Sequence, residues 1–190
     1  LADVQPQLYT LRVLAQLCDA ARGLEGGALI SVVAVHTQHG AQAVCDIVRR
    51  ILARVTEPLV VFLRQWLGAG VLLDPFSEFF VAEDAAVPVE RLWTDRYTAR
   101  TAMLPVFISP ALAARILLAG KSIVFVRQAC GDAQFSVPVD RRGLESLRAS
   151  GAGGGGGGTA FADAVEAASK KAGSHLIGLL WSRFGFEKHC

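Results

Sequence analysis

Three adjacent residues are spaced as phosphate chemistry would need them. Gly120-Lys121-Ser122 has the order that ends a phosphate-binding loop. In such a loop, GxxxxGK[ST] lies between a strand and a helix, free backbone N–H groups face the phosphates, and the lysine reaches the outer ones. Here Arg115 holds the position of the first glycine, and the intervening Ile116-Leu117-Leu118-Ala119 is apolar. Leu112, Ile116, Ala119, Ile123, Val126 and Cys130 recur at helical intervals straight through the triplet. Inside a helix the N–H groups are already bonded to carbonyls. The expectation is that Gly120 permits close approach of a neighbouring helix, Lys121 lies at an edge and Ser122 bonds back to its own helix. A nucleotide-binding enzyme using Lys121 is the alternative.

Other chemical constellations are no stronger. His36 and His39 could share a helix face, as metal ligands would, but no third ligand lies near them; solvated histidines flanking a turn are expected. His175 and His189 stand alone, and acids such as Glu83 and Asp84 fall in polar loops. Neither GxSxG nor HExxH occurs. Cys18, Cys45, Cys130 and Cys190 form no CxxC pair, and read as buried or idle thiols in a reducing cytoplasm. No catalytic residue, cofactor, metal ion or small-molecule substrate is therefore expected.

The elements that would carry these residues are mainly helices. Leu8, Leu11, Leu14 or Ala15, and Cys18 share one face of a first helix opened by Pro6 and stopped at Gly23; Leu24 to Gly27 form a turn. Gly27 to Gly40 reads as a buried helix. Val44, Ile47, Ile51 and Val55 stripe the next, opposite Arg49, Arg50 and Arg54. Thr56 can cap a helix with Glu57-Pro58 in its first turn and Leu59, Phe62, Leu63, Trp66 and Leu67 on its apolar face. Between Leu73 and Pro105, Phe79-Phe80-Val81 and Trp93, Tyr97 and Thr98 favour extended chain, giving one short hairpin or two extended pieces. Ser109-Pro110 is the N-cap and first residue of the helix that carries the triplet. Residues 131–158, which end in the glycine-rich tract Gly151 to Gly158, read as a flexible loop. Thr159 caps a last helix with Phe161, Val165, Ala168, Ala172 and Leu176 on one face. The fold class is thus mainly α, an antiparallel helical bundle with one short β-hairpin or extended segment and a disordered Gly-rich loop.

The 52% hydrophobic content excludes a chain that is disordered throughout. A net charge of +2 gives no reason to expect nucleic acid or an anionic membrane as partner. The longest apolar stretch, Pro58 to Leu73, is broken by Arg64 and two glycines and falls short of the roughly 20 residues that span a bilayer. Starting at Leu1, the chain reads as a fragment of one helical domain over residues 1–190. Trp66 and Trp93 are expected to anchor its core, and Arg96 and Arg100 to pair with Glu83, Asp84 or Glu90.

One combination of residues goes further. Leu92-Trp93, Arg96-Tyr97-Thr98, Arg100, Met103, Pro105, Phe107-Ile108 and the run Ile116 to Ile123 with its Gly120-Lys121-Ser122 together resemble the gamma-tubulin complex component family, component three most closely. The resemblance extends upstream through the Gly26-Gly27 turn, the helix bearing Trp66, and Asp74-Pro75 with Glu78-Phe79-Phe80-Val81. It is looser from Phe161 to His189. Ala99, Val106 and Val124 depart from the family pattern, as in a divergent member. The resemblance implies an all-helical, non-catalytic scaffold: the later part of an N-terminal grip domain, whose subunits stand side by side and present gamma-tubulin to template microtubule growth. It implies gamma-tubulin and sibling components as partners, and the cytoplasm, cytoskeleton and microtubule organizing centre or spindle pole as location. The residues that carry it read as structural. A helical adaptor unrelated to tubulin would share the composition but not this combination.

Overall fold

The computed structural model describes residues 5–38, 40–150 and 157–184. Helices dominate, with one small two-stranded sheet. In chain order they are α1 (Gln5–Ala21), α2 (Gly26–His36), α3 (Gln42–Val55), α4 (Glu57–Ala69), β1 (Val81–Glu83), β2 (Tyr97–Ala99), α5 (Pro110–Gln128), α6 (Arg141–Glu145), α7 (Leu147–Ser150) and α8 (Gly157–Phe184). Helix α5 is central: it packs along α8 and α4, and β2 touches it as well. Helices α1, α2 and α3 pack in succession at the other side.

Local sequence explains the helix ends. The Ser109 hydroxyl accepts the Leu112 N–H at 3.2 Å, and Pro110 occupies the first turn of α5, so the cap is the one the sequence announces. Gly70 closes α4 in the left-handed region (φ 61°), and its N–H reaches the Trp66 carbonyl at 3.0 Å. Thr56 differs from expectation. It joins α3 to α4 in helical conformation, so its hydroxyl turns back to the Leu52 carbonyl (2.7 Å) instead of capping α4. Thr159 likewise lies inside α8, because helical backbone starts two residues earlier, at Gly157.

The core runs through Leu63, Trp66 and Leu67 of α4, Ile116 and Ile123 of α5, and Phe161, Val165, Ala168 and Ala172 of α8. Phe79, Phe80 and Val81 wedge into it from the irregular segment after α4. On α3 the buried line is Val44, Val48 and Leu52, one position round from part of the expected stripe. On α1 the expected face is wrong: Leu8 and Leu11 are exposed and Val13 and Leu17 are buried, because α2 and α3 approach from that side.

A second correction concerns residues 131–150. They are not a loose loop, since α6 and α7 lie here and put Leu144 and Leu147 into the core, where Val137 of the segment before α6 is buried too. Asp140 caps α6 by accepting the Arg142 and Gly143 N–H groups, and the Val137 N–H reaches the Gly68 carbonyl at 2.7 Å. Apolar residues spaced too irregularly to mark an element are held by what they pack against. Residues 151–156 of the polyglycine tract, His39 and His189 lie outside the described residues.

Candidate functional site

Most of the residues singled out in sequence converge on one region, where β2, α4 and α5 meet. Its centre is a close helix contact. A Cβ built on Gly120 would stand 1.9 Å from the Trp66 indole, so hydrogen is the only substituent that fits. The indole is fully buried, donates its N–H to the Ile116 carbonyl (2.9 Å), and tilts against the Tyr97 ring at 5.0 Å. Gly120 thus does what its place in the helix suggested.

Lys121 does not. It is 7% exposed, and its ammonium donates to the Trp93 carbonyl at 2.8 Å. Burial pushes its pKa below the ordinary lysine value, with the Asp95 charge acting the other way. The lysine is therefore a strut between α5 and the wide π-helical turn Leu92–Arg96, not an edge residue. Ser122 returns its hydroxyl to the Leu118 carbonyl (3.0 Å), as expected. Residues 115–122 lie in mid-helix, where a phosphate loop's free N–H groups have no counterpart. Trp93 is a further correction: it is 38% exposed and rests on Phe125 at 5.8 Å, because the turn carries its ring to the surface while the smaller Leu92 takes the core position.

The two strands pair antiparallel, with Val81 opposite Ala99, Ala82 opposite Thr98 and Glu83 opposite Tyr97. One Glu83 oxygen accepts from Arg96 Nε (3.1 Å), Arg96 Nη2 (2.9 Å) and the Tyr97 hydroxyl (2.9 Å). The bond to Glu83 raises the Arg96 pKa further. Tyr97 is pushed up to about 12, first by burial and then by its bond to Glu83. Arg100 pairs not with the acids of that strand but with Asp74, at 3.1 Å, and also donates to the Phe79 carbonyl. Asp74 carries part of the family resemblance, but its role as the partner of Arg100 is not expected from the sequence. Its carboxylate also accepts the Glu78 and Phe79 N–H groups, both at 2.9 Å, and so sets the turn that aims Phe79 and Phe80 inward. The Asp-Pro pair at its head was the available signal.

Pro105 is buried and Phe107 half-buried against the core. Pro105 sits against Gly27, where an added Cβ would lie 1.8 Å from the Met103 carbonyl oxygen. Ser31 ties the same corner: its hydroxyl donates to the Gly27 carbonyl (2.7 Å) and accepts the Val106 N–H (2.9 Å). Elsewhere, the His36 ring contacts the Val32 carbonyl at 2.8 Å, and His175 meets Asp132 at 3.2 Å while stacking on Phe135. Among the described residues no group of three or more His, Cys, Asp or Glu is placed to hold a metal ion. No described helix is long and apolar enough to cross a membrane. The polar groups of the region bond inward, to carbonyls and to one another, an arrangement that locks conformation.

Comparison with known proteins agrees with this region's composition. A family model described as the gamma tubulin complex component N-terminal region matches residues 1–182. Gamma-tubulin complex component 3 of Arabidopsis thaliana is 38% identical over 186 residues, covering 96% of this chain and 22% of that protein. Its Homo sapiens namesake is 42% identical over 122 residues, 64% of this chain and 14% of the relative. Spindle pole body component alp6 of Schizosaccharomyces pombe is 32% identical over 140 residues, covering 70% and 17%. The chain thus spans about a fifth or less of these relatives' length. Component 2 of Arabidopsis thaliana is more distant, at 26%. The chain belongs to the gamma-tubulin complex component family, to the N-terminal region of its members, and is more similar to component 3 than to component 2.

Proposed function

We propose that this chain is the later part of the N-terminal grip domain of a gamma-tubulin complex subunit. It acts there as a non-catalytic scaffold in microtubule nucleation. Its work is to hold subunits side by side so that each presents gamma-tubulin. The partners are gamma-tubulin and sibling components, and the location is the cytoplasmic microtubule organizing centre or spindle pole. The observation that carries this reading is the family match over residues 1–182. The physical character of the region supports it: glycine, tryptophan, lysine and arginine are spent on fixing helices to one another, as stiffness requires.

The test is affinity purification of the tagged full-length protein, with and without residues 1–182. Gamma-tubulin and sibling components should accompany the intact protein, and the siblings should be lost on deletion. Absence of both from the intact protein would overturn the reading and favour an unrelated helical adaptor. The enzyme alternative is tested separately by titrating ATP and GTP into the wild-type protein and Lys121→Ala. Flat titrations are expected in both, and saturable binding lost in the variant would revive it.

A further inference from the structure

The outer side of α8 takes no part in the helix packing described above. Phe135 and Val137 of the segment before α6 and Ala167 of α8 wall an open groove of about 590 Å³. Lys170 and Lys171 stand at its rim. Both lysines are exposed, and neither has an ion-pair or hydrogen-bond partner among the described residues. The acids close by are already engaged: Glu166 pairs with Arg115 at 2.8 Å and Asp132 with His175 at 3.2 Å. Beyond the groove, Lys170, Ser174, Ile177 and Trp181 follow at intervals of four, three and four, so they share one face of α8. Ile177 and Trp181 are each 55% exposed. The face is therefore an apolar groove, two unpaired cations and an apolar strip in a line roughly 16 Å long.

We propose that this face docks a partner segment in which carboxylates alternate with large apolar side chains. Charge complementarity selects the occupant. Lys170 and Lys171 form no ion pair among the described residues, so an incoming carboxylate gains attraction without displacing an existing pair. The groove wall and the exposed tryptophan offer apolar area and an aromatic anchor, which a purely acidic ligand would leave uncovered. Two lysines beside an apolar wall are too few to hold a phosphate backbone. The proposal does not rest on the scaffold reading. Gamma-tubulin can co-purify whether or not this face is used.

The experiment is fluorescence anisotropy of a labelled synthetic peptide of glutamates interleaved with leucine and tryptophan, titrated with the full-length protein. Lys170→Glu/Lys171→Glu is compared with wild type, as is Trp181→Ser, with the thermal midpoint as the folding control. Saturable, salt-sensitive binding is expected, weakened about tenfold or more by the charge reversal and several-fold by Trp181→Ser, with midpoints unchanged. Equal binding of the peptide with lysines for glutamates would overturn the proposal, as would an unchanged Kd in the charge-reversed protein. So would either of two results specific to wild type and lost in the charge reversal: self-association of the free protein, or binding to anionic vesicles in place of the peptide.

Discussion

At the scale of single residues, the chemistry-like triplet is explained by packing. Gly120 faces an indole with no room for a methyl group. Gly120→Ala should therefore destabilise by about 1–3 kcal/mol or more, read as a shift in the denaturation midpoint. An unchanged midpoint would mean that α4 can move away at no cost. Tyr97 gives a pH signature. Its folded pKa of about 12 exceeds the ordinary 10.0, so between those values the folded chain holds a proton the unfolded chain has released. The stabilisation is complete below pH 10.0 and is lost as pH rises toward about 12, by an amount of order 2 kcal/mol. Tyr97→Phe should flatten that alkaline fall and lower stability near neutrality by about 1–2 kcal/mol. Lys121 acts in the opposite sense: its depressed pKa makes stability rise with pH between the folded value and 10.5. The fall should therefore be steepest above that window.

At the scale of elements, legibility followed periodicity. Helix α5 was readable because its apolar spacing, its Ser-Pro cap and its glycine agree with one another. The π-helical turn at Leu92–Arg96 was not, since nothing in Leu-Trp-Thr-Asp-Arg distinguishes it from a strand that would bury Trp93. The buried face of α1 is not legible because apolar residues lie on both sides of it, and the neighbouring helices choose Val13 and Leu17 over Leu8 and Leu11. The polar contacts of the sheet were half legible. Glu83 opposite Arg96 and Tyr97 is a local pairing, whereas Asp74 to Arg100 spans 26 residues. Asp74→Ala should take the counter-charge from the Arg100 guanidinium, which keeps its bond to the Phe79 carbonyl, and leave the Glu78 and Phe79 N–H groups unbonded, costing about 2 kcal/mol after allowance for the arginine's partial exposure. Hydrogen exchange should then rise at Glu78 to Val81 and at Tyr97 to Arg100. Faster exchange spread evenly over the helices would contradict this local role.

At the scale of the molecule, the segment between α5 and α8 completes the core. Leu144 is 1% exposed between α4 and α8, so Leu144→Ala should cost about 2–5 kcal/mol in thermal or denaturant unfolding. A mobile loop would give a change near zero. Buried residues from α1 through α8 join one contiguous core, so the described helices pack as a single body. The seat of Gly120 on Trp66 has a consequence for how that body bears load. Sliding α5 along α4 would carry the gap at Gly120 off the indole and bring toward it the side chains one turn away on the same face, Ile116 or Ile123. The two helices thus have a detent and not a sliding joint. Shear between them is resisted until the tryptophan yields, so small forces should pass through the α4–α5 pair almost undiminished. Bending in any larger assembly would then concentrate where subunits or domains meet.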